Sequence, residues 1–112
     1  MERIAIHGTV FVTADQRDGL LERARPLVEA SRAEDGCLDY SFLPDPYDPT
    51  CVRIVELWED EAALRNHFTL PHFAAAGTLM GEVVTERGDI SKHLITWSGG
   101  VMDALPDRPE ST

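Results

Sequence analysis

Residues 37–59 read CLDYSFLPDPYDPTCVRIVELWE, and the pattern in this stretch decides the fold. On either side of a proline-rich centre, apolar and polar residues alternate with a period of two, as in a strand with one buried face. Cys37 to Leu43 reads as one strand, with Leu38, Tyr40 and Phe42 on one face and Cys37, Asp39 and Ser41 on the other. Pro44 to Pro49 is expected outside the ladder, because its prolines remove backbone donors. Thr50 to Glu59 is the returning strand, so the stretch is a hairpin. This pairing sets Cys37 opposite a residue near Glu56 and Cys51 opposite one near Phe42, roughly 17 Å apart along the strand. A disulfide needs Cα atoms within about 7 Å, so both thiols are expected to be free, which points to a reducing cytoplasm.

Upstream, Arg3 to Val12 alternates as a strand, and Thr13 with Gln16 has the spacing of a capping box. The helix that follows places Leu20, Ala24, Leu27, Val28 and Ala30/Ser31 on one face. Pro26 inside it costs on the order of 3 kcal/mol and predicts a loosened turn near Glu22, while Gly36 is expected at the left-handed position that ends it. Downstream, Asp60 caps a helix (EAALRNHF) on which Ala63, Leu64, His67 and Phe68 share a face. Pro71 breaks that helix, a short helical piece follows from His72 to about Met80, and Asp89 to Trp97 reads as the last strand. Residues 98–112 read as a tail, flexible or packed on a partner, behind a domain spanning residues 1–97. The order strand, helix, strand, strand, helix, strand is that of an α+β ferredoxin-like plait, a four-stranded antiparallel sheet with both helices on one face. The strands carry apolar residues on both faces, Val52, Ile54 and Trp58 against Cys51, Val55 and Leu57. A second copy packed sheet on sheet would cover the open face, giving a homodimer, a dimeric α+β barrel.

A chain of 112 residues builds one modest core, and its 43% hydrophobic content is that of a globular domain. Ten Lys and Arg against 20 Asp and Glu give a formal net charge of -10, with no basic run. Neither nucleic acid nor an anionic membrane is therefore an expected partner. No apolar stretch reaches the roughly 18 residues that span a bilayer, and the N-terminus opens directly into strand alternation, so no signal peptide is expected. His67 and His72 stand on either side of a proline rather than at i, i+4, and HExxH and CxxC are absent, so no metal site is expected. Flavin, nicotinamide and nucleotide cofactors likewise lack a motif.

The segments EASRAEDGCLDYSF (29–42) and ELWEDEAALRNHFTLPHF (56–73) closely resemble the antibiotic biosynthesis monooxygenase superfamily of dimeric α+β barrels. The resemblance covers roughly Ile4 to Trp97. Its distinctive pieces are Gly36 before a Tyr-bearing strand, Glu56-x-Trp58, and His67 followed by Pro71-His72-Phe73. Heme-degrading relatives carry an Asn on the first strand, a Trp on the second helix and a heme-ligating His further on. Aligned from Trp58, the last two positions hold His67 and Gly77 here, and the first strand has His7, Gly8 and Thr9 without an Asn. The resemblance therefore implies the quinol and aromatic-polyketide branch, whose members keep a His on this helix and use no cofactor.

That branch implies a small aromatic substrate and dioxygen as partners. An electron-rich phenolate can pass one electron to O₂, so the protein's tasks are to remove a proton, hold the anion in a dry slot and stabilise reduced oxygen. His67 is the first candidate for the base, against the alternative of a buried histidine bonded to a carbonyl. Asn66 is a candidate to bond a substrate oxygen, against an exposed helix Asn. Trp58, Tyr40, Phe42, Phe68 and Phe73 are candidates for an aromatic slot, against plain core roles. His72 is a further substrate-binding candidate, expected to point at water rather than into the pocket. A non-catalytic dimer that binds an aromatic compound, and an isomerase or decarboxylase on the same plait, are the competing functional readings.

Overall fold

The computed structural model describes residues 2–107. Strand β1 spans Ile4–Phe11, and a 3-10 turn at Ala14–Gln16 leads into helix α1, Arg17–Arg32. The inserted turn separates Thr13 from the helix, so the capping box does not form. Thr13 makes no side-chain cap, and the turn closes through the backbone, the Gln16 N–H donating to the Thr13 carbonyl at 2.9 Å. α1 continues past Pro26. Burial of Leu20, Ala24 and Ser31 against the sheet outweighs the hydrogen bond lost at the proline. Gly36 takes a φ of 83°, at the entry to the next strand rather than beside the helix C-cap at Ala33.

Strands β2 (Cys37–Pro44) and β3 (Cys51–Trp58) form the hairpin, with Tyr40 opposite Glu56 and Phe42 opposite Ile54. Pro44 pairs with Val52, contrary to expectation. β2 is an edge strand, and a proline there need not donate into a ladder. The register shifts between Cys37, which faces Trp58, and Asp39, which faces Leu57. Leu38 is the extra residue, and it leaves the Tyr40–Phe42 face and is exposed. Cys37 thus lies opposite Trp58 rather than Glu56, Cys51 lies past the end of β2, and both cysteines are free.

Asp45 organises the connecting loop. Its Oδ1 accepts the backbone N–H of Tyr47 at 2.7 Å and of Asp48 at 3.0 Å, while Oδ2 pairs with Arg53 at 2.8 Å. These bonds, that from Tyr47 foremost, hold its carboxyl below the usual carboxylate range. Arg17 donates to the Asp45 and Asp48 carbonyls from α1, so the loop is tied to the helix as well.

Beyond β3, the Asp60 carboxylate accepts the Ala63 N–H at 2.8 Å and caps helix α2, Glu61–His67. Pro71 starts helix α3, Pro71–Val83, at a position where its missing N–H is harmless. The last strand is split into β4 (Glu86–Arg87) and β5 (Ser91–Leu94), both antiparallel to β1. The residues between them cross close over β1. A Cβ on Gly88 would collide with Thr9 Oγ1, and one on Gly8 would meet the Ile90 Cα at 2.5 Å.

The sheet order β2-β3-β1-β4 is that of an α+β ferredoxin-like plait. Helices cover the face bearing Val10, Val52, Ile54 and Trp58, where two core clusters form, one around Leu20 and Val52 and one around Trp58 and Leu64. The opposite face carries Val55 and Leu57, both partly buried. Residues 98–107 of the expected tail form no helix or strand, and 108–112 lie outside the described residues.

Leu64 is fully buried beside Trp58. Leu64→Ala is expected to cost about 2–5 kcal/mol, read as a lower denaturant midpoint at unchanged slope; a loss below about 1 kcal/mol would show that the second cluster does not hold α2.

Candidate functional site

α3 has small residues where it faces the sheet, and this leaves space. Ala76, Gly77 and Gly81 line a cleft of about 690 Å³, and a Cβ built on Gly77 or Gly81 meets nothing within 4 Å. Across from them stand Ile6, Val10, Tyr40, Phe42, Ile54 and Glu56 of the sheet; Phe68, Phe73 and Met80 add apolar wall, and the segment from Val84 to Ile90 closes one end. The volume lies within the range of small-molecule sites, and the lining is largely apolar with few polar groups.

His67 borders this cleft and is only 1% exposed. Its ring sits in an aromatic box, with centroids 4.7 Å from Trp58, 5.1 Å from Phe73 and 5.5 Å from Tyr40. Nδ1 lies 2.6 Å from Oε2 of Glu34, a residue in the turn between α1 and β2. Nε2 of His72, in the first turn of α3, lies 2.6 Å from the same oxygen. An ionised carboxylate only accepts, so each of these nitrogens carries the hydrogen and donates it. In the neutral imidazole that assignment leaves Nε2 of His67 without a hydrogen.

Glu56 is a second polar group on the cleft wall, and Thr85, Glu86 and Arg87 line the cleft as well. The Trp58 indole N–H donates to its Oε1 at 3.0 Å. Burial pushes its carboxyl above the ordinary range, against the opposing pull of the Trp58 N–H. Burial, with the Glu56 charge nearby, also pushes the Tyr40 phenol well up. The Cys37 thiol is pushed up to about 11, chiefly by burial, and so is a poor nucleophile at neutral pH.

Of the residues singled out in the sequence, His67, Tyr40, Phe42, Phe68 and Phe73 meet at the cleft. Trp58 does not line it; fully buried, Trp58 backs His67 and anchors Glu56. Asn66 is exposed on the outer side of α2, because α2 turns only its Leu64–His67 face to the sheet. His72 turns inward to Glu34 instead of to water, and it is not among the cleft-lining residues. Its approach to His67 also corrects the sequence argument against a metal cluster. The turn at Leu70–Pro71 folds the two imidazoles toward one carboxylate, so that Glu34, His67 and His72 place a ligand atom each within 4.8 Å of one another. Sequence reading missed Glu34 and Glu56. Glu56 had a signal, a carboxylate on the Val52-Ile54-Trp58 face of a strand; Glu34 had none, since its partners are far away in the chain.

An antiparallel plait with helices on one face defines the class, a ferredoxin-like α+β protein with a partly open cleft between its two layers. The family model for antibiotic biosynthesis monooxygenase matches residues 3–78, and the chain belongs to that family. An uncharacterized protein of Synechocystis is 33% identical over 70 residues, 62% of this chain and 48% of that protein, so the match takes in about half of that relative's length. YcnE of Bacillus subtilis, named for a monooxygenase, is 31% identical over 70 residues, 62% of this chain and 74% of its own. Among solved structures, a Deinococcus radiodurans protein bearing the same family name superposes with a TM-score of 0.74 at 26% identity, covering 92% of this chain and 99% of its own. A conserved protein of Methanosarcina mazei shares the fold with a TM-score of 0.75 at 24% identity, covering 83% of this chain and 92% of its own. No helix among the described residues is long and apolar enough to cross a membrane.

The raised Glu56 carboxyl has a consequence for stability. The folded chain binds that proton more tightly than the unfolded chain, so Glu56 is without penalty at acid pH and destabilising once pH rises through the folded value. Glu56→Gln keeps an oxygen for the Trp58 N–H and removes the charge. It is expected to raise the melting temperature at neutral pH, with the gain closing below about pH 4; equal gains at both pH values would show the carboxyl to be solvated.

Proposed function

We propose that the protein is a cofactor-independent monooxygenase that oxidises a quinol or a polycyclic aromatic phenol with molecular oxygen. The observation that carries this reading is His67, held through Nδ1 by Glu34 at the edge of a largely apolar cleft. Family membership and the monooxygenase name of YcnE support the reaction class.

In this reading Tyr40, Phe42, Phe68 and Phe73 hold the flat ring, and Nε2 of His67 takes the phenolic proton. Glu34 keeps the ring in the tautomer that leaves Nε2 free, and its charge stabilises the imidazolium that forms. The bound anion gives one electron to O₂, and the radical pair combines into a C–O bond. The resulting hydroperoxide loses water, its O–O bond breaking as the C–H proton leaves, and a carbonyl remains. All four electrons that reduce O₂ come from the substrate, two in forming the peroxide and two as its O–O bond breaks. Glu56, whose burial favours the protonated form, is placed to bond an oxygen of the ring or of the peroxide. Asn66 has no part in this scheme, Trp58 packs behind the base, and His72 acts through Glu34. In solution a second copy covers the sheet face carrying Val55 and Leu57, giving a homodimer, and the free thiols suit a reducing cytoplasm.

Oxygen uptake with a reduced naphthoquinone or an anthrone-like phenol, in aerobic and anaerobic assays run together, tests this reading. His67→Ala is expected to slow turnover by roughly 10²–10⁴-fold, and an unchanged rate would remove His67 from the chemistry. Because that variant empties a buried position, Gly77→Leu is the companion: it fills the cleft from an open helix face, so turnover should fall with the melting temperature preserved. Saturable binding without oxygen consumption would instead make the protein a carrier, and turnover under nitrogen an isomerase or decarboxylase.

A further inference from the structure

The hydrogen bonds around Glu34 use only one of its oxygens. Oε1 is buried without a hydrogen-bond partner among the described residues, although the side chain is only 6% exposed. An unpaired buried carboxylate oxygen is costly and marks a place where a partner is missing. Two imidazoles converge on the other oxygen of the same carboxylate, Oε2, and the three side chains offer one ligand atom each, all of these within 4.8 Å. They come from separate segments, the turn after α1, the end of α2 and the start of α3. Such a donor set suits first-row divalent ions, and zinc accepts three protein ligands with a further position open. We propose that Glu34, His67 and His72 form a binding site for a divalent transition ion of the zinc class.

Ligand bonds of about 2.0–2.1 Å in tetrahedral geometry set donor atoms roughly 3.3 Å apart. The two N···O separations of 2.6 Å are those of shared protons. The ion replaces those protons, each N···O separation opens by roughly 0.7 Å, and the two imidazole nitrogens, which lie within 4.8 Å of each other, draw in to the same spacing. His72, with 19% of its side chain exposed, provides the route in from solvent. Neither Glu34 nor His72 lines the cleft, so the ion sits behind His67 rather than in the substrate space. Bound at Nδ1, it leaves Nε2 of His67 as an N–H that cannot accept a proton. A filled site therefore silences the imidazole facing the cleft. This inhibition rests on the proposed oxidation; the binding does not.

The test titrates the chelator-stripped full chain with zinc sulfate by calorimetry at neutral pH, with imidazole nitrogens followed by NMR. One ion per chain is expected, with the shifts centred on Nδ1 of His67 and Nε2 of His72. Glu34→Gln and His72→Ala, confirmed folded by circular dichroism, should each weaken binding at least tenfold, while His93→Ala, at an exposed position on β5, should not. Absence of saturable uptake, or variants that both bind zinc as tightly as the unsubstituted chain, overturns the site. Zinc binding by a protein that oxidises none of the phenols sinks the proposed reaction alone. Quinol oxidation without zinc uptake sinks the site alone, and turnover that persists with the site filled sinks the inhibition.

Discussion

Oε2 of Glu34, with a nitrogen of His67 and a nitrogen of His72 each at 2.6 Å, is the interaction on which the site depends. It joins the turn after α1 to the junction of α2 and α3 at a place where water is excluded. Both members of the Glu34–His67 pair are more than nine-tenths buried. A charge in that position is tolerable only while its partners stay in place, and removing one partner leaves a charge that nothing compensates. The same bonds hold the His67 ring in place and, with Glu34 as the acceptor, put a hydrogen on Nδ1.

Around that contact the plait supplies a rigid frame. Trp58, fully buried at the end of β3, packs on the back of His67 and donates to Glu56, so the aromatic core and the polar end of the cleft share a residue. α3 contributes the volume, because glycines stand where its surface turns toward the sheet. An apolar hollow with an oriented imidazole and one reluctant carboxyl suits chemistry in which a proton moves out of water's reach. Family membership points to a monooxygenase-like role, and the cleft has the volume and largely apolar lining of a small-molecule site.

Much of the frame was legible in the chain. Alternation at Val52, Ile54 and Trp58 named the buried face of β3, the Leu20–Ala24 spacing named the buried face of α1, and Asp60 marked the start of α2. Local rules failed where something small intervened. A 3-10 turn disabled the Thr13 cap, one extra residue at Leu38 moved it out of its face, and the strand expected at Asp89–Trp97 shortened to Ser91–Leu94, behind a two-residue strand at Glu86–Arg87 that the sequence did not announce. The aromatic slot was readable as a set of residues, but Trp58 belongs behind the base and Asn66 outside it. Those distinctions depend on how far each element rolls against the sheet, which periodicity does not encode.

Element order and sheet topology came from the amino-acid sequence alone, because hydrophobic period, caps and prolines act over a few residues, whereas the choice of His67 rested on the family resemblance of residues 56–73. The partnership of His67 with Glu34 and His72 was decided only in three dimensions. Glu34 lies 33 positions from one imidazole and 38 from the other, and no short-range pattern spans such gaps. Packing of α1, α2 and α3 on a single face of the sheet brings the three side chains together, and exclusion of water from their meeting point gives the contact its strength.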